Sequence, residues 1–258
     1  MLWTWLGALL VGISLGLLGA GGSILTVPVL VYLADVPEKL AITSSLAIVA
    51  AISGAGAVPF ARRGDIVWRS VLLFGLPGMA GAALGARLAH GLSASVQLTI
   101  FALVMLWAAY GMLRNPSAQA GEANPERRRP SLRIVADGLA IGAMTGVIGV
   151  GGGFLILPAL TLLGGLALRT AIGTSLVVIA LNALVGFVAH LIADASQLRQ
   201  LDTVLLATFI AIGVAGSLTG QYVGGRLPQQ QLRRMFGIVL VLLAAFMLWQ
   251  QGAAWGLR

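Results

Sequence analysis

The chain has 258 residues, 59% of them hydrophobic and 9% charged, with a formal net charge of +8 and no cysteine. A soluble domain of this length needs a far more polar surface, and the missing cysteines exclude disulfides, thiolate metal sites and thiol catalysis. The basic excess would suggest nucleic acid in a soluble protein. Here it reads as topogenic, holding loops on the cytoplasmic side, so no nucleic-acid partner is expected.

Charges cluster and leave eight stretches without any: Trp3–Ala34, Leu40–Ala61, Ser70–Ala86, Gly91–Leu113, Gly138–Leu168, Thr170–Ala193, Thr203–Gly225 and Met235–Leu257. About 20 apolar residues span a bilayer as helix, and lipid forces every backbone group to pair internally. The fold class is therefore an all-α polytopic membrane protein with the lipid bilayer as its solvent. The N-terminus lacks a basic run and a small-residue cleavage site, so the first stretch is expected to be retained.

That first stretch is too long for one span. Its 32 residues would make about 48 Å of helix against a hydrocarbon core of about 30 Å. Gly19, Gly21 and Gly22 interrupt it, followed by Pro28. Gly138–Leu168 has the same problem and the same interruption, at Gly149, Gly151, Gly152, Gly153 and Pro158. Each is either one long broken span or a helical hairpin or re-entrant pair.

The likeness of the two stretches extends further. Gly16–Leu46 and Gly146–Leu176 match at 12 of 31 positions without a gap, including three glycines and the proline in register. A later echo pairs Gly81-x3-Gly85-x-Arg87-Leu88 with Gly220-x3-Gly224-x-Arg226-Leu227. The chain thus divides into a first transmembrane repeat over 1–113, a polar basic linker over 114–133 and a second repeat over 134–258. Each repeat carries a glycine-broken first element plus three spans.

Basic residues discriminate between the two readings. Eight single spans put 10 basic residues inside and six outside, whereas two hairpins put 12 on one face and leave only Lys39, Arg87, Arg199 and Arg258 on the other. The second split obeys the positive-inside tendency better. It favours inverted repeats with both termini periplasmic.

Several residues could carry chemistry. The glycines at 21, 22, 151, 152 and 153, with Ser23, could turn helix N-termini toward an anion, as in transporters with discontinuous helices; close helix packing is the alternative. Ser44 and Ser45, with Thr174 and Ser175, could donate to a solute oxygen or simply cap and pack. Asn182 and His190 share a helix face, and polar groups at membrane depth are expensive unless used. Arg87 and Arg226 could attract an anion or gate an entrance, or snorkel. All eight acids lie in loops or at segment ends, which disfavours a cation as cargo. No metal site or cofactor is expected. A homo-oligomer stays open, because small-residue faces pack within or between subunits equally well.

The runs GLLGAGGSILTVPVL and GVIGVGGGFLILPAL, each followed by A-I-x-[ST]-S-L, resemble the sulfite exporter TauE/SafE family over essentially the whole chain. The resemblance implies transport, most simply export, of small sulfur-containing anions such as sulfite, sulfonates or sulfoacetate across the bacterial cytoplasmic (inner) membrane. Where the second half has Gly153 and Asn182 the first has Ser23 and Ile52, so a site built from both halves would be asymmetric. Transport of another organic anion and a non-catalytic membrane subunit are the competing readings. An intramembrane enzyme is not expected, since no Gly-x-Ser-Gly or HExxH motif occurs.

Overall fold

The computed structural model describes residues 2–20, 22–89, 94–114, 130–148, 153–193 and 202–254, which are helical apart from short turns. In order these are α1 (Leu2–Leu18), α2 (Gly22–Tyr32), α3 (Glu38–Arg63) and α4 (Trp68–Ser70). A π-helical turn, Val71–Gly75, leads into α5 (Leu76–Ala89), followed by α6 (Ala94–Arg114), α7 (Ser131–Ile148) and α8 (Gly153–Pro158). A second π-helical turn, Ala159–Leu163, precedes α9 (Leu168–Ala193), α10 (Thr203–Arg226) and α11 (Gln229–Ala254). Among the described residues, Leu40–Arg63, Leu168–Val188 and Thr203–Arg226 are long and apolar enough to cross a membrane. Large apolar side chains such as Leu72, Leu103, Trp107 and Val204 stand exposed on helix surfaces, as expected when lipid replaces water.

Each interruption has a local cause. Both π turns adjoin a proline, Pro77 just after the first and Pro158 just before the second; proline removes a backbone donor and the ladder widens around the gap. Helix α3 stops at Gly64, whose φ of 75° lets its N–H turn back to the carbonyls of Ala61 and Phe60. Arg62 and Arg63 in the last turn complement the helix dipole. Asp202 caps α10, its carboxylate accepting the N–H groups of Val204 and Leu205 at 3.0 Å each.

The same turn closes the second element of both halves. Val36 donates to the Leu30 carbonyl around Asp35 at φ 53°, and Leu166 donates to Leu160 around Gly165 at φ 68°. These positions are 130 residues apart, the offset of the sequence repeat. Aspartate is among the few side chains that tolerate this backbone.

Packing groups the helices across the sequence halves. One compact unit comprises Met1–Trp68 with Arg169–Leu227, the other Arg69–Leu168 with Pro228–Arg258. In the first unit the opening stretch is a hairpin. Thr4 donates to the Leu33 carbonyl at 2.6 Å, Gly7 lies against Val29, and Gly22 lies against Val11 and Leu15. Helices α1 and α2 are thus antiparallel neighbours. Helix α1 runs parallel to α10, with Gly12 on Gly213 and Gly16 on Ser217. Helix α3 also runs parallel to α10, Ile52 meeting Gly213 and Gly56 meeting Ser217 and Gln221. Against α9 it runs antiparallel, as Leu46 meets Gly186, Gly54 meets Ala180 and Phe60 meets Gly173. Parallel α3 and α10 are incompatible with eight alternating single spans, in which the second and seventh would oppose each other.

In the second unit α7 packs lengthwise on α5, and α6 on α11. The glycine contacts again bring backbones together, Gly138 against Phe74 and Gly142 against Gly78. Arg69 donates to the Ser131 hydroxyl at 2.8 Å. Asp137, expected at a segment end, stands six residues inside α7 and is half-buried.

Candidate functional site

The tip of the α1–α2 hairpin is built from three features. Gly19 adopts φ 68°, a conformation that costs other residues energy and lets the chain reverse after Leu18. Ser175 of α9 places its hydroxyl 3.2 Å from the Gly19 carbonyl and 2.9 Å from that of Ile172, tying the reversal to α9. Gly22 is buried, and a Cβ there would land on the Val11 carbonyl. The glycine at 22 therefore serves close packing within the hairpin.

The tip does not lie at mid-height. Ser175 is seven residues into the 26-residue α9, about 8 Å short of its centre at 1.5 Å per residue. The hydroxyls of the first motif are taken locally: Ser23 donates to Ala20 at 2.9 Å and Thr26 to Gly22 at 2.9 Å. Gly153 opens α8 and is buried, while Gly21, Gly151 and Gly152 lie outside the described residues.

The two hydroxyl runs lie at different levels of the unit. Because α3 and α9 are antiparallel, Ser44 and Ser45 sit near one end of the pair and Thr174 and Ser175 near the other, about 20 Å apart along the axes. Thr174 bridges locally, donating to Thr170 at 2.7 Å and accepting the Val67 N–H at 3.1 Å. Ser45 donates to Ile42 at 2.7 Å. Ser44 instead lines a cavity of about 200 Å³ with Leu30, Asp35, Ile48, Asp202 and Leu205. That cavity opens among α2, α3 and the start of α10, and its two carboxylates belong to element ends.

Among the described residues of this unit, two polar atoms are buried without a partner. They are Asn182 Oδ1 on α9 and Ser53 Oγ on α3. Ser53 is wholly buried and Asn182 partly so. Nothing in the sequence distinguishes Ser53 from the alanines around it, so it was not expected. Gln221 was also unforeseen; it donates from α10 to the Gly56 carbonyl of α3 at 2.7 Å. Its signal was legible, as a side-chain amide inside an otherwise apolar stretch.

Two peripheral cations are engaged at helix ends. Arg226, exposed in the last turn of α10, lies 4.0 Å over the Tyr222 ring and donates to the Tyr222 hydroxyl. Arg169 donates to the Gly225 carbonyl at 3.0 Å. Arg87 belongs to α5 and His190 to α9; the side chains of both lie outside the described ones.

A family model described as "Sulfite exporter TauE/SafE" matches residues 4–247. A "Probable membrane transporter protein" of Xylella fastidiosa (strain 9a5c) is 32% identical over 249 residues, covering 95% of this chain and 94% of the relative. "Probable membrane transporter protein YunE" of Bacillus subtilis (strain 168) is 26% identical over 266 residues, covering 94% and 95%. A "Probable membrane transporter protein MJ0441" of Methanocaldococcus jannaschii is 23% identical over 249 residues, covering 93% and 92%. No solved structure matches the chain.

Proposed function

The chain belongs to the sulfite exporter TauE/SafE family of membrane transporters, and on that premise we propose that it exports a small sulfur-containing anion, such as sulfite or a sulfonate, across the cytoplasmic membrane. The observation that carries the reading is the polarity at helix mid-height in the hairpin unit. There α3 and α9 offer neutral oxygen and amide groups, with no carboxylate to repel an anion. Ser53 and Asn182 contribute these groups, while Arg169 and Arg226 supply positive charge at the helix ends. A transporter of another small organic anion would use the same features.

Flux of radiolabelled sulfite and sulfoacetate into or out of proteoliposomes tests the reading directly. We expect saturable flux of at least one sulfur anion; flux of carboxylates alone would move the assignment to the alternative, and no flux with a broad anion panel would favour a non-catalytic subunit.

We further read the halves as inverted repeats with both termini periplasmic, supported by the hairpin and by the 12 to four split of basic residues. A C-terminal reporter active only in the cytoplasm should be silent, and bright signal would reverse the orientation.

A further inference from the structure

Helix α10 ends at the headgroup level of a bilayer. Its 24 residues make about 36 Å of helix against a hydrocarbon core of about 30 Å. The exposed, charged Asp202 and Arg226 mark its two ends. One side of α10 is buried through Gly213, Gly216, Ser217 and Gly220. On the other side Leu218, Tyr222 and Arg226 follow at intervals of one turn and share a face. Leu218 is 45% and Tyr222 62% exposed, and Arg226 is exposed with them.

A second guanidinium reaches the same helix end. Arg169, exposed at the start of α9, donates to the Gly225 carbonyl at 3.0 Å. Gly225 directly precedes Arg226 and stands three residues beyond Tyr222, on the flank of its face. Both cations are held in place. Arg169 is fixed by that carbonyl. Arg226 is fixed by the Tyr222 ring, whose centre lies 4.0 Å from the guanidinium carbon, and by the Tyr222 hydroxyl. A freely snorkelling arginine has no such fixation. Each guanidinium carries five N–H donors in a planar fork, so most of each fork is left for another acceptor. Among the described residues neither has a carboxylate partner. The result is an exposed aliphatic and aromatic strip within the span, topped by two fixed positive forks. A phosphate with acyl chains below it matches both parts.

We propose that the start of α9 and the end of α10 bind one anionic phospholipid, with Arg169 and Arg226 on its phosphate, Tyr222 at the headgroup boundary and an acyl chain along Leu218. A headgroup with its own ammonium offsets the phosphate charge, so phosphatidylglycerol is preferred over phosphatidylcholine. The inference goes beyond transport and does not depend on the solute, because it concerns a lipid that stays bound.

The test is native mass spectrometry of the purified full chain in detergent, titrated with dioleoylphosphatidylglycerol or dioleoylphosphatidylcholine. The parent should hold its first phosphatidylglycerol about tenfold more tightly than phosphatidylcholine. Each arginine charge contributes about fivefold, so the chain carrying both Arg169→Gln and Arg226→Gln should bind phosphatidylglycerol about 25-fold more weakly. A charge-matched control with Arg62→Gln and Arg63→Gln, at the exposed end of α3, should stay within about twofold of the parent. Binding by the parent should also weaken as ammonium acetate is raised, a measurement that needs no variant. Equal affinity of the parent for the two lipids would overturn the proposal, as would unchanged affinity in the α9–α10 variant or an equal loss in the α3 control. Displacement of the lipid by glycerol phosphate would assign the arginine pair to a soluble phosphate and overturn it as well.

Discussion

Gly16→Leu should yield a chain that fails to accumulate as a folded species in the membrane. A Cβ at position 16 lands on the Ser217 backbone carbonyl, and one turn earlier Gly12 is as tightly placed against Gly213. Opposite them, Gly216 and Gly220 of α10 meet the α1 backbone at Leu9, Ile13 and Leu17. The two helices approach through a seam of glycine and serine, where contact is between main chains and no side chain can rotate away. In lipid there is little hydrophobic drive to hold two helices together, so association depends on this fit. Forcing four carbons into it separates α1 from α10 along its length, at a cost on the order of 3–5 kcal/mol or more. Fluorescence-detected size-exclusion chromatography of a tagged chain checks the outcome, with Leu10→Ala as the control, since Leu10 is exposed. A monodisperse Gly16→Leu peak of parental height would refute the seam.

Gly19→Val should keep the chain in the membrane but sharply reduce transport. At φ 68° a β-branched residue is strained, by about 1–2 kcal/mol from the left-handed backbone alone. The new Cβ would also stand 3.0 Å from Ile172 Cγ2 and 3.1 Å from its Cα. Relief requires the hairpin tip to withdraw from α9, breaking the Ser175 tie. Ser175→Ala removes only that tie and should cost about 1 kcal/mol. Because both changes act on one contact, the double variant should be less unstable than the sum of the singles. Thermal unfolding in detergent gives the stability and sulfite flux gives the function. Additive stabilities, or full transport by Gly19→Val, would mean that the tip is not fixed to α9.

Much of the architecture could be read before any coordinates. A 32-residue apolar stretch with a glycine cluster cannot cross a 30 Å core once as straight helix, and the distribution of arginines favoured the reversal that α1 and α2 make. What could not be read was partnership. Gly12 and Gly16 are visible as small residues, but nothing local says that their partner is a helix 200 residues later in the other half. The hydroxyl runs after Lys39 and Arg169 look equivalent along the chain. They separate because α3 and α9 run in opposite directions, a property of tertiary packing that leaves no mark on either run. Ser53 leaves no sequence mark for a related reason, since one serine among alanines and isoleucines resembles a neutral filler, and only the fold shows that its hydroxyl lacks a partner.

The interleaving of the two halves bears on how the protein is made. Helices α1 to α3 leave the ribosome long before α9 and α10, yet they share a compact unit with them, and α5 to α7 wait likewise for α11. During synthesis the glycine-lined flank of α1 faces lipid or the insertion machinery with its partner still untranslated. The first unit cannot close until α10 emerges, nor the second until α11 does, so the nascent chain must tolerate a long interval as a half-built object. A break in the polar linker would then be survivable only if both fragments were supplied together, each completing what the other began.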